Sequence, residues 1–135
     1  MIMTFHETIM NRCLEIANNA FGQTTPNPMV GCVLVFENKI ISKGYNQQAG
    51  EAHAEINAIN SVENKNLIPL STLYVSLEPC SHYGKTPPCC ERIVQEGIKK
   101  VVVGTIDTYA DVNGKGISFL QQNNVTFFFR PPGHL

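Results

Sequence analysis

The sequence predicts an α/β fold: a three-layer α-β-α sandwich built on one five-stranded mixed sheet. Three observations lead there. Runs rich in β-branched residues alternate with segments whose apolar residues recur every three or four positions. The first two such runs follow each other directly, as a hairpin does. The later ones are each separated by a helical segment, which implies crossover connections and helices packed on both faces of the sheet. The 135 residues suit one core, so residues 1–135 are read as a single domain.

Each element has its own reason. Residues 5–20 read as a helix, because Phe5, Ile9, Cys13, Ile16 and Ala20 fall on one face. Residues 21–28, FGQTTPNP, are a loop, since Gly22, Pro26 and Pro28 interrupt both helix and strand. MVGCVLVF and KIISKGY, joined at ENK, form a β-hairpin. Residues 51–62 are the second helix, with Ala52, Ile56 and Ile59 as its expected buried face. TLYVSL, residues 72–77, is the third strand. Residues 89–96 are a short helix stopped by Gly97. KKVVVGTI carries the unbroken apolar run of a strand covered on both faces. GISFLQQN is a helix, VTFFF the last strand, and RPPGHL a short tail. No repeat, low-complexity tract or linker interrupts this order.

Composition narrows the function. Ten Lys and Arg against eleven Asp and Glu leave a net charge of −1, which argues against a nucleic-acid partner. The N-terminus lacks the basic start and apolar run of a signal peptide. No stretch reaches the roughly 18 apolar residues of a membrane span. A cytoplasmic location with no membrane partner is the expectation. In that compartment clustered cysteines more often bind metal or do chemistry than form disulfides, and an odd count of five suits a disulfide framework poorly.

Three of the five cysteines crowd into EPCSHYGKTPPCC. Cys80 and Cys89 flank a proline-restricted loop after the third strand, and His53 opens the second helix. Each lies at the strand-to-helix end of its unit, and in α/β sheets such ends converge on one rim. One imidazole and two thiolates make three zinc ligands, leaving a fourth position for water, as in catalytic rather than structural sites. Glu55 follows His53 by two residues, a turn of about 200° on a regular helix. An irregular first turn lets both side chains face the rim, where a carboxylate can move protons for a zinc-activated water. A single histidine at a helix start is more often a cap, and a single cysteine more often core. Cys13 and Cys32 are read as core for that reason. Cys90 is excluded as a ligand, because helix neighbours point about 100° apart.

The pairing of H-x-E with P-C…C is the donor arrangement of zinc deaminases, which usually write the second pair P-C-x-x-C. Here eight residues separate Cys80 from Cys89. TTPNPMVGCVLV, AGEAHAEINAI, TLYVSLEPCSHYGKTPPC and GIKKVVVGTID resemble, in order, the deaminase domain of the bifunctional riboflavin biosynthesis enzyme, in the cytidine-deaminase-like superfamily. That family carries a long inter-cysteine loop of this kind, and the resemblance runs over residues 5–129.

The resemblance implies a five-stranded sheet between helices and zinc held by His53, Cys80 and Cys89. It implies Glu55 as the proton shuttle. Asn27, His82 and Lys85 would contact the pyrimidine, and Asp107 would shape the ribose side. From the residues alone, Asn27 is a turn residue between prolines, and His82 and Lys85 are solvated loop polarity. The implied reaction is hydrolytic deamination of 2,5-diamino-6-ribosylamino-4(3H)-pyrimidinone 5′-phosphate, and the implied assembly is a homodimer.

The match departs at three points. The chain stops at Leu135 without a G-x-G-x-x-G fingerprint, so no reductase domain is expected here and reduction would fall to a separate reductase. The family's GYH is GYN in this chain, placing Asn46 where a histidine is usual. The family's DPNP is DTYA, placing Tyr109 where an asparagine is usual. These two changes keep open a substrate lacking the ribose phosphate: a diaminopyrimidine, guanine or pterin base. A non-catalytic zinc-binding partner of a reductase is a further reading, which Glu55 argues against.

Overall fold

The structure, a computed structural model, describes residues 3–20, 29–46, 53–81, 87–106 and 114–133. Its regular elements follow the expected order. They are α1 (Phe5–Ala17), β1 (Gly31–Phe36), β2 (Lys39–Tyr45), α2 (Ala54–Asn60), β3 (Thr72–Val75), α3 (Cys89–Gln95), β4 (Lys100–Val103), α4 (Lys115–Gln122) and β5 (Thr126–Phe129). The strands form one sheet in the order β2-β1-β3-β4-β5. β1 runs antiparallel to both β2 and β3, while β3, β4 and β5 are parallel. The mixed five-stranded sheet is therefore as expected.

Alternation along the strands sends successive side chains to opposite faces. Val33, Val35, Tyr74 and Val102 meet Ile9, Met10, Cys13 and Ile16 of α1 on one face. Cys32, Leu34, Leu73, Val75, Val101 and Val103 meet Ala54, Ala58 and Ile59 of α2, Ile93 of α3 and Leu120 of α4 on the other. The result is three layers, with one helix against three.

Local chemistry sets the element ends. Thr4 and Glu7 form a reciprocal capping box at the start of α1: the Glu7 N–H donates to Thr4 Oγ1 at 3.1 Å and the Thr4 N–H to Glu7 Oε1 at 2.9 Å. The hairpin turns at Glu37 and Asn38, both at positive φ (50° and 62°), which matches the twist of a two-residue connection. Among the described residues no helix is long and apolar enough to cross a membrane.

Several boundaries differ from expectation. The first helix ends at Ala17, and Asn18–Ala20 tighten into a 3₁₀ turn. A second 3₁₀ segment, Lys65–Leu70, was not anticipated. β3 stops at Val75, where Ser76 turns back to bond Gly31 through both its N–H (3.0 Å) and its hydroxyl (3.1 Å). The second helix spans Ala54–Asn60, while residues 51–52, Ala52 of the expected face among them, lie outside the described residues; its buried residues are Ala54, Glu55, Ala58 and Ile59, with Ile56 half-buried. Close approach to β2 explains this face. A Cβ on Gly44 would come within 2.4 Å of Ala58 N and 2.5 Å of Ala54 O, so small residues must point at the sheet. Nor does the chain simply trail away after β5, since Asn11 Nδ2 on α1 donates to Gly133 O at 3.1 Å.

Candidate active site

His53 occupies the N-cap of α2 in extended backbone (φ −75°, ψ 168°) and makes no side-chain capping bond. It stands outside the helix, so the angular spacing of a regular helix does not separate it from Glu55. Glu55 sits in the first turn and is 4% exposed. Cys80 lies on the irregular stretch after β3, and Cys89 is the first residue of α3. Thus three chain segments meet beyond the C-terminal end of β3, beside the point where the sheet changes from antiparallel to parallel pairing.

The ligating atoms converge. His53 Nδ1 lies 3.1 Å from Cys89 Sγ and 3.6 Å from Cys80 Sγ. All three donor atoms fall within 4.8 Å of one another. A tetrahedral zinc site with ordinary Zn–N and Zn–S bonds needs N···S separations of about 3.6 Å and S···S of about 3.8 Å. The group fits that geometry, and its imidazole and thiolate donors suit zinc. The Cys89 N–H also donates to Cys80 Sγ at 3.2 Å, a bond that favours the thiolate.

The thiols are tuned against each other. A hydrogen bond from the Cys89 thiol pulls Cys80 down to about 4, helped by His53 and the Cys89 N–H. The same bond, with burial, pushes Cys89 up. His53 is raised, chiefly by its bond to Cys80. Burial drives Glu55 up to about 7, against smaller downward pulls from its own N–H, His53 and the Cys89 thiol.

Cys90, next in sequence, turns inward. Its thiol approaches Pro79 O and Gly116 O, each at 3.5 Å, and it packs into the core with Ile93 and Leu120. Asn27, His82, Lys85 and Asp107 lie outside the described residues, as does Tyr109. Asn46 is nearly buried, and its Oδ1 accepts from the Val30 N–H at 2.8 Å.

Sequence reasoning missed one residue. Glu78 is 5% exposed, and its carboxylate accepts from the N–H groups of Gly114, Gly116 and Ile117. A hint was present in the sequence, because α4 opens on Gly114, which offers no capping side chain of its own.

A five-stranded mixed sheet, a His-Cys-Cys group at its rim and a buried glutamate beside it define a class, the zinc-dependent deaminases of the cytidine deaminase type. The chain belongs to that family: the description "Cytidine and deoxycytidylate deaminase zinc-binding region" matches residues 3–105. Within it, the chain falls in the branch of the diaminohydroxyphosphoribosylaminopyrimidine deaminases. It is 44% identical over 117 residues to the "Diaminohydroxyphosphoribosylamino-pyrimidine deaminase" of Buchnera aphidicola subsp. Schizaphis graminum, covering 87% of this chain and 78% of that one. It is 48% identical over 123 residues to the "Riboflavin biosynthesis protein RibD" of Synechocystis, covering 91% of this chain but only 33% of that longer protein. The structure of Acinetobacter baumannii RibD superposes with a TM-score of 0.87 at 38% identity, over 93% of this chain and 35% of that one. The chain is thus a zinc-dependent hydrolase that removes an amino group.

Proposed function

We propose that this chain hydrolytically deaminates 2,5-diamino-6-ribosylamino-4(3H)-pyrimidinone 5′-phosphate, giving the matching uracil derivative and ammonia. The observation that carries the reading is Glu55, buried on the first turn of α2 against the converging His53, Cys80 and Cys89. The substrate rests on the 44% identity to a deaminase named for it.

His53 Nδ1, Cys80 Sγ and Cys89 Sγ would hold the zinc. A zinc ion held there supplies the Lewis acidity that makes water nucleophilic near neutral pH. Glu55 takes the proton released as the water oxygen bonds to the amino-bearing ring carbon, and delivers it to the adjacent ring nitrogen. It then carries the second water proton to the departing amine as the C–N bond breaks. Burial excludes bulk water from the carboxylate, so the proton passes between Glu55 and substrate. Asn27, His82 and Lys85 are assigned to the pyrimidine and Asp107 to the ribose by resemblance to the family.

The deaminase domain works as a homodimer in the cytoplasm. Free thiols at all five cysteines suit that compartment. The competing substrate, a base without ribose phosphate, drew on Asn46 and Tyr109. The bond from Val30 N–H gives Asn46 a task in the fold itself, which leaves that alternative resting on Tyr109. Ammonia release from the pyrimidine with and without its ribose phosphate tests the proposal. Turnover of the phosphorylated compound supports it, and turnover of the free base alone overturns it.

A further inference from the structure

Glu78 stands two residues before Cys80 and grips two distant points of the chain. Its N–H donates to Thr105 O at 2.8 Å, where the chain has just left β4. Its carboxylate meets the chain where it enters α4: Oε1 accepts from Gly114 N at 3.0 Å, and Oε2 from Gly116 N at 2.9 Å and Ile117 N at 3.3 Å. These are N–H groups that a helix cannot satisfy from within its own first turn. Gly114 at the N-cap has no side chain of its own to accept them. Glu78 caps it from 36 residues away.

The fit is tight. A Cβ on Gly116 would sit 2.0 Å from Pro79 O, so residues 78–79 lie directly on the first turn of α4. Pro79 then restricts the backbone that leads into Cys80. Between Ser76 and Cys80 there is no helix or strand to hold the chain. Beyond this point the backbone is fixed again by Cys80 O, which accepts from Cys90 N at 3.2 Å. The stretch carrying Cys80 is therefore suspended between α4, gripped by Glu78, and α3, which presents Cys89.

We propose that Glu78 is a positioning residue for the metal: by clamping its own segment to the first turn of α4, it holds Cys80 Sγ at the distance from His53 and Cys89 that a bound ion requires. The proposal rests on the reading that Cys80 is a ligand. A carboxylate suits the task because it is acceptor-only and meets three donors at once. Glutamine keeps the length but replaces one oxygen with an NH₂ group facing a backbone N–H. The clamp then loses a bond and gains a donor–donor contact, and Cys80 drifts.

The test uses the full chain loaded with zinc, as wild type, E78Q, E78D and C80S. Zinc release to a chelating dye is followed, together with the thiolate-to-metal absorption of the cobalt-substituted proteins and melting without metal. E78Q should release zinc about 10- to 100-fold faster, the usual scale for groups that orient ligands, and should shift the cobalt–thiolate bands. E78D should do the same more weakly, because its charge is kept while the segment is drawn in by one methylene. If E78Q melts lower yet keeps the wild-type release rate and cobalt spectrum, Glu78 is only a helix cap and the proposal fails alone. Should E78Q not fold, E78D decides by the same two readouts: faster release supports the proposal and wild-type release overturns it. C80S should lose part of the cobalt–thiolate intensity. Full intensity in C80S removes Cys80 from the ligand set, and the underlying reading falls together with the proposal.

Discussion

Cys89 and Cys90 are neighbours in the chain and opposites in surroundings. Both are buried, at 1% and 0% exposure, so depth does not distinguish them. Cys89 faces the rim, with His53 Nδ1 at 3.1 Å and the Cys80 sulfur alongside. Cys90 faces the core, where its thiol meets backbone carbonyls and apolar side chains. The rest of the sulfur divides the same way. Burial pushes the Cys13 thiol up to about 12 and raises Cys32 and Cys90 as well, which leaves all three protonated packing groups. Cys80 alone is driven down, to about 4, by bonds from Cys89 and His53. What makes a cysteine chemical here is the company of other donors, supplied where the ends of three segments meet.

The largest test of this contrast is removal of one rim sulfur. Cys89→Ser and Cys80→Ser should each fall well short of the about one zinc per chain expected of wild type, and should lose activity with the metal. Cys90→Ser should retain both zinc and activity. Elemental analysis of the purified variants decides. A Cys90→Ser protein that arrives empty, beside a Cys89→Ser protein that arrives full, reverses the assignment of the two neighbours.

Next in size is Glu55→Gln, which separates proton transfer from metal binding within the rim. The amide keeps the shape of the side chain but cannot accept the water proton. Turnover should fall by about 10²–10⁴-fold, the scale of a lost general base, while zinc content holds. Wild-type turnover in this variant would take Glu55 out of the mechanism.

The core half of the comparison predicts a smaller and different effect. Cys13→Ala deletes a sulfur packed among Ile9, Met10 and Val33, whose thiol donates to Tyr74 O at 3.6 Å. The change should cost about 1–2 kcal/mol in chemical denaturation. Zinc content and kcat should not move. A variant that loses zinc in proportion to its stability would mean that the α1 face and the rim are coupled, contrary to the division drawn here.

The contrast was partly legible in the sequence, and the legible part is instructive. Element order followed from periodicity, because strands covered on both faces write unbroken apolar runs such as the VVV of Val101–Val103. His53, Cys80 and Cys89 stood out because their residue types and flanking prolines formed one joint pattern. What stayed hidden depended on partners distant in the chain. Nothing around Ile56 announces that Gly44 draws α2 so close to β2 that Ala54 and Ala58 face the sheet instead. Nothing around Glu78 announces that its three donors wait beyond β4. A buried carboxylate in the middle of a chemical motif reads, from sequence, as one more polar loop residue.

The smallest predicted effect lies at the edge of the rim, at Asn46, where this chain departs from the histidine usual in its family. Asn46 follows β2 and is 9% exposed. Its Oδ1 accepts from Val30 N at 2.8 Å, and its own N–H donates to Val30 O at 3.4 Å. The side chain thus pins the entry to β1. A histidine can keep that bond, because Nδ1 stands the same number of bonds from the backbone as Oδ1 and accepts in one neutral tautomer. The ring then carries Nε2 farther out as a donor, which the amide cannot match in reach. Asn46→His should therefore leave thermal stability near wild type. For the phosphorylated pyrimidine it should lower KM by about threefold, close to 0.7 kcal/mol, with kcat unchanged. Steady-state kinetics alongside a melting curve separate the two possible roles. A large drop in melting temperature would show that the amide is needed for the Val30 bond itself. An unchanged KM in a fully stable variant would show that position 46 supports the strand without reaching the substrate.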